Sequence, residues 1–121
     1  MPSERKLEQL IRLLIRETTE GKISWEASSP PRSRMTGTDD IIEEYFETTL
    51  KDQEVAVFER RYKGFNTDNE SEYWTSDYCF AFLSDGAITW ETEDSRLLFP
   101  LFKVAKESAA DVDGILDKLL E

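Results

Sequence analysis

The residue types that most often carry out catalysis are scarce in this chain. It has no histidine and one cysteine, Cys79. The missing histidine removes the commonest general base, the commonest metal ligand and any Ser-His or Cys-His nucleophile. Cys79 lies among aromatic neighbours in DYCFAFL, where a thiol is expected to be buried and unreactive. We therefore expect a protein that is not an enzyme.

Two groups of oxygen-bearing side chains have spacings similar to those of ligand sets or acid-base pairs. The stretch 66–70, NTDNE, lacks the twelve-residue spacing and central glycine of a calcium loop. Turn preferences explain it better as the tip of a hairpin. Glu91 and Glu93 share a strand face, as paired carboxylates in acid-base catalysis do, but nothing supplies a pocket. The five glycines are isolated and form no phosphate-binding loop, so we expect no metal and no cofactor.

The net charge of −11 is unevenly distributed along the chain. Residues 41–121 hold 19 acidic and 8 basic side chains, whereas the charges of residues 1–40 cancel. Nucleic-acid binding draws its affinity from lysine and arginine, so this balance argues against nucleic acid and against an anionic membrane. A basic protein partner would be attracted, although acidity of this degree also serves solubility alone.

Length and composition predict a single domain spanning residues 1–121. With one cysteine no intrachain disulfide can form, which fits a reducing compartment. No apolar run approaches the roughly 20 residues that a membrane-spanning helix needs. The opening MPSERKLEQL lacks the apolar core of a signal peptide. We predict a cytoplasmic protein.

An amphipathic helix is predicted over residues 3–20, with Ser3 as its cap and Gly21 as its end. Its apolar positions recur at helical spacing: Leu7, Leu10, Ile11, Leu14 and Thr18. Trp25 follows in a short extended segment and is expected to close over this helix as part of the core. Residues 27–40, ASSPPRSRMTGTDD, show no period and are predicted to be a flexible loop.

Several runs with two-residue periodicity predict an antiparallel sheet. Residues 45–50 fit either a helical turn or a strand, and we favour the strand because a tight turn follows at 51–53. Further strands are predicted at 54–63, 73–83 and 87–91, joined by a hairpin loop at 64–71 and an Asp85-Gly86 turn. In the last strand, Ile88 and Trp90 are expected on one face.

Two helices are predicted after the sheet. The first begins near Asp94 or Ser95 with a kink, or begins later, because a proline past the first turn of a helix breaks a backbone hydrogen bond and Pro100 lies there. Asp111 is expected to cap the second helix, whose apolar residues are Val112, Ile115, Leu116 and Leu119. The predicted class is α+β: an N-terminal helix, an antiparallel meander of about four strands, and two C-terminal helices packed on one sheet face.

The chain resembles a loose group of small uncharacterised bacterial proteins. They open with a leucine-rich helix, continue with a Gly-Lys-Ile-x-Trp step, which corresponds here to TTEGKISW after the first helix, and end in a helix followed by a short capped helix. The positions that carry the resemblance are Gly21, Lys22, Ile23, Trp25, Val112, Ile115, Leu116 and Leu119. The resemblance implies the α+β arrangement and assigns no activity or functional residue.

Two function hypotheses from different classes follow. The first is a non-enzymatic protein-binding module, immunity/antitoxin-like or an adaptor, which binds a basic partner through an acidic face. The residues predicted for that face are Asp68, Glu70, Glu72, Asp85, Glu91 and Glu93. The alternative is a small-ligand or metal-binding domain with a cleft lined by Trp25, Trp74 or Trp90. A homodimer through a sheet edge or an aromatic face is compatible with the first hypothesis.

Overall fold

A computed structural model describes residues 3–121 of the chain. The helices are α1 (Glu4–Thr19), α2 (Arg32–Met35), α3 (Leu98–Ala109) and α4 (Val112–Leu120). The strands are β1 (Glu26–Ala27), β2 (Tyr45–Leu50), β3 (Gln53–Asn66), β4 (Ser71–Ser84) and β5 (Ala87–Thr92). The predicted α+β arrangement is confirmed. The sheet has five strands in the described residues because the short β1 pairs with the outer edge of β2.

The sheet is an antiparallel meander in the order β1-β2-β3-β4-β5. Tight turns place consecutive strands side by side and so explain this order. The backbone of these turns has positive φ at Lys51 and Asp52 and again at Asp85 and Gly86. Turns with this geometry match the twist of the strands that they join. The strand predicted over residues 45–50 is confirmed as β2.

The β3–β4 hairpin is longer than its neighbours. Both strands have 14 residues, whereas β2 and β5 have 6 each. Residues 62–75 therefore project as a two-stranded arm, which we call the arm. The hairpin loop predicted at 64–71 is wrong in extent, because only 67–70 lie outside the strands. The ring of Tyr73 covers the backbone of Gly64 and leaves no room there for a Cβ, and such aromatic cover stabilises a glycine within a strand.

The main core lies between one face of the sheet and helices α1 and α3. Its buried side chains are Ile11, Leu14, Trp25, Phe46, Val55, Val57, Phe80, Leu98, Leu101, Phe102 and Ala105. The predictions for α1 and for Trp25 are confirmed. Ser3 accepts a hydrogen bond from the backbone N–H of Lys6, and the indole N–H of buried Trp25 donates to the Thr18 hydroxyl at 2.9 Å.

Helix α3 begins at Leu98, later than Asp94 or Ser95. Pro100 is then the third residue of the helix, in the first turn, where a backbone N–H has no partner within the helix. The later start that the sequence left open is therefore correct, and no kink is needed. Asp111 caps α4 as predicted, since its carboxylate accepts from the N–H of Gly114 at 3.3 Å.

A smaller second core lies on the opposite face of the sheet. Its buried residues are Tyr45, Ala56, Phe58, Cys79, Ala81 and Leu83. The segment between β1 and β2 crosses this face, and we call its residues 28–44 the strap. It includes the one-turn helix α2, which contacts β5, and Ile42, which packs against the second core. The segment predicted as a flexible loop, 27–40, thus lies largely within the strap.

The prediction that Ile88 and Trp90 share a face is wrong. Trp90 pairs with Phe82 and packs against the main core, whereas Ile88 pairs with Leu83 and packs against the second core. A β-bulge between these two pairs inserts one residue, Thr89, and so reverses the alternation of side chains.

Candidate functional site

The structure does not bring the six predicted acidic residues together. Asp68, Glu70 and Glu72 lie at the end of the arm. Asp85 lies in the β4–β5 turn, roughly 40 Å from Glu72 at about 3.3 Å per residue along β4. Glu93 is exposed beyond the end of β5. The acidic residues therefore form a group at the arm and several separate positions elsewhere.

Glu91, the sixth predicted residue, is bound within the molecule. Its two carboxylate oxygens accept from Nε and Nη2 of Arg34 at 2.7 and 3.1 Å. The same Nη2 donates to Asp40 at 3.1 Å, and the guanidinium lies 6.0 Å from the ring centre of Phe58. All three charged side chains are less than a fifth exposed. The hydrogen bond to Glu91 raises the pKa of Arg34 against the opposing effect of burial.

The sequence alone does not predict this ion-paired group. Arg34 and Glu91 are 57 positions apart in the sequence, and residues 27–38 around Arg34 contain no acidic side chain. Only the position of the strap over the sheet joins them. A basic residue within an otherwise small and polar loop is the single signal that the sequence offers.

Cys79 is fully buried in the second core. Its thiol donates to Asp77 at 3.6 Å, and Asp77 in turn accepts two hydrogen bonds from Arg60 at 2.7 and 3.0 Å. Burial raises the pKa of the Cys79 thiol well above its ordinary value, and the negative charges of Asp77 and Glu91 add to the shift. A thiol that stays protonated at neutral pH is a poor nucleophile.

The three tryptophans lie in three different places. Trp25 is 2% exposed within the main core. Trp90 stacks on Phe82 with ring centres 5.1 Å apart, at the margin of a shallow cleft that also contains Leu7 and Arg96. Trp74 is on the arm and 47% exposed. The structure thus does not bring these residues together into one cleft.

The arm carries three exposed aromatic side chains, and Tyr73 and Trp74, adjacent in β4, lie on opposite faces of it. Phe65, Tyr73 and Trp74 are each about half exposed, at 58%, 49% and 47%. The cationic groups of Arg61 and Lys63 lie 5.7 and 5.4 Å from the Trp74 ring centre, within the range of cation–π attraction. Both cationic side chains therefore contribute to holding the Trp74 ring in place on the arm.

Helix α4 presents the most exposed apolar surface in the described part of the chain. Ile115 and Leu116 are each 50% exposed, Leu119 is 73% exposed and Leu120 is 84% exposed. Together with Val112, three of them recur at the i, i+3, i+4 and i+7 positions of one helical face. No residue of α4 is buried, and α3 is the one described helix or strand that it contacts. An apolar stripe of this kind usually packs against a core, but in α4 its side chains are exposed.

Among residues 3–121, no group of three or more cysteine or acidic side chains is arranged to hold a metal ion. Within the same residues, no helix has both the length and the apolar character that crossing a membrane requires. Comparison with protein-family models, with curated protein sequences and with solved structures finds no match to this chain.

Proposed function

We propose that this protein is a non-enzymatic protein-binding module, immunity/antitoxin-like or an adaptor, which docks α4 into an apolar groove with a basic rim on another protein. The observation that carries the proposal is the exposure of the α4 face, where four apolar side chains are 50–84% exposed. Contiguous exposed apolar surface of this kind marks interaction sites. An amphipathic helix that lies in a groove is a recurring mode of recognition.

Burial of this face supplies a substantial driving force. Fully burying one such side chain contributes roughly 1.5–3 kcal/mol. The exposed parts of Ile115, Leu116, Leu119 and Leu120 would together contribute roughly 5 kcal/mol, before the costs of association. An isolated helix of nine residues is also marginal in water, so a partner would stabilise α4 itself.

The charges of α4 favour a basic rim on the partner. Beside its apolar face, the helix carries Asp113 and Asp117, and Glu121 follows, against a single base, Lys118. The excess of acids in residues 41–121 has the same sign, so a basic protein would be attracted over a distance.

A second copy of this chain is a less favourable binding partner for α4 than a basic protein. Two α4 helices that met face to face would bring acids of the same sign together, and like charges across an interface are destabilising. We therefore propose that α4 binds a different protein and not a second copy of this chain.

The test is capture of a partner from native lysate by the wild-type protein and two matched double variants. Leu116→Gln with Leu119→Gln removes the apolar face of α4 without adding charge. Phe65→Gln with Trp74→Gln makes an equivalent change on the arm. We expect one stoichiometric basic protein with the wild type and the arm variant, at least tenfold less with the α4 variant, and reduced capture at moderate salt.

Several outcomes would contradict the proposal. Equal capture by the α4 variant would exclude α4 as the site, and loss with the arm variant alone would move the site to the arm. A concentration-dependent dimer of the wild type that the α4 variant abolishes would make a second copy the occupant. Absence of a specific partner at either salt concentration would reject the proposal as a whole.

A further inference from the structure

We infer that the strap, residues 28–44, is a releasable cover of the second sheet face, latched by Arg34, and that it opens while the sheet and the helices α1 and α3 stay folded. This inference is independent of the partner of α4. It concerns a conformational change within the chain, and it would expose the second core on the face of the sheet opposite to α1 and α3.

The attachments of the strap are few and lie mostly at its ends. At one end the backbone N–H of Ser28 donates to Tyr45, and at the other Ile41 and Arg61 exchange two backbone hydrogen bonds of 2.8 and 2.9 Å. Between them, the described backbone hydrogen bonds of residues 29–40 stay within the segment. The side chain of Arg34 alone, among residues 29–40, hydrogen-bonds to the sheet.

The strap has little burial of its own. None of its 17 residues is buried, and α2 has four residues and no side-chain cap. Segments with few buried apolar contacts open at a lower free energy than the protein as a whole. Half of the six residues beneath the strap are small, namely Ala56, Cys79 and Ala81. The other three, Tyr45, Phe58 and Leu83, are larger, but six buried residues still cost less to expose than the eleven of the main core.

Arg34 is the latch because it neutralises two carboxylates at once. Without it, Glu91 and Asp40 would face each other with less than a fifth of each side chain exposed and no counterion between them. Removing one partner of such an ion-paired group leaves uncompensated charge, which is strongly unfavourable. That charge is relieved when the strap lifts and both carboxylates reach water.

Cys79 reports on this opening, since it is the only cysteine and is fully buried in the core that the strap covers. The experiment measures its rate of alkylation by iodoacetamide in Arg34→Met and in Arg32→Met. The second variant makes the same change at an exposed position of the same short helix. We expect Arg34→Met to react about 100-fold faster than the wild type in the absence of denaturant, and Arg32→Met to stay within about threefold.

The dependence of the wild-type rate on urea separates opening of the strap from global unfolding. Opening of the strap exposes the second core but leaves the main core buried, so we expect the rate to rise with urea at a slope well below that of global unfolding. Hydrogen exchange should show loss of protection at the amides of Ile41 and Arg61 in Arg34→Met, with protection retained in α1.

The inference is wrong if the wild-type rate rises from zero urea with the full slope of global unfolding. It is equally wrong if both arginine variants react at the same rate. Should Arg34→Met fail to fold, the urea dependence of the wild type decides the question alone.

Discussion

At the scale of single residues, features that depend on neighbouring residues are predictable from the sequence. Pairings between distant residues are not. The caps at Ser3 and Asp111 are predictable because each depends on a few neighbouring residues. The ion pair of Arg34 with Glu91 is not, because those residues meet only after the strap has crossed the sheet. The sequence instead predicts that Glu91 belongs to a binding surface. At a strand position, the sequence does not distinguish a carboxylate that forms an internal ion pair from one that faces solvent.

The buried thiol of Cys79 makes stability depend on pH. Its pKa is raised in the folded protein, whereas in the unfolded chain it ionises near pH 8.5. The folded state therefore binds more protons above that pH, and stability falls as pH rises. Between pH 7 and pH 10, we expect this thiol to reduce the free energy of unfolding by about 2 kcal/mol.

The measurement is the free energy of unfolding of the wild type and of Cys79→Ala across pH 7–10. The alanine variant has a constant offset from the lost side chain, so only the difference in slope is informative. Above about pH 8.5, the free energy of unfolding of the wild type should decrease with pH more steeply than that of the variant. Parallel curves across the range would show that the thiol ionises alike in both states.

At the scale of elements, periodicity and turn residues are sufficient to predict the first helix and most of the sheet. The alternation of Val55 and Val57 with Ala56 and Phe58 predicts a strand with two apolar faces, and the structure places the two sets in different cores. The β-bulge at Thr89 escapes prediction, because an inserted residue leaves the alternating pattern of a short strand unchanged in the sequence. The predicted strands 54–63 and 73–83 stop short of the observed hairpin, because polar strand residues look like a loop.

The position at which α3 starts decides how well the helix tolerates proline. Pro100 lies in the first turn of the helix, so Pro100→Ala should change the free energy of unfolding by less than about 1 kcal/mol. Lys103, three residues further on and also exposed, is in the helix interior, and Lys103→Pro should cost about 3 kcal/mol or more. Urea unfolding measures both, and equal costs would place the helix start elsewhere.

At the scale of the whole molecule, the sheet separates two environments. One face carries α1 and α3 over the main core, and the other carries the thinly attached strap over the second core. In the described residues, large apolar side chains are exposed on the arm and on the apolar face of α4. The sequence predicts the apolar residues of α4 but does not show that they stay exposed, since a stripe that packs inward and one that awaits a partner have the same period.

The most direct test of the proposed function is hydrogen exchange of the α4 amides in the purified protein and in its complex with the captured partner. In the free protein, we expect residues 112–120 to exchange rapidly, because this short helix buries no side chain. In the complex, the largest gain in protection should fall on these residues. Strong protection of α4 in the free monomer, or a gain confined to the arm or the strap, would contradict the account of α4 as the docking helix.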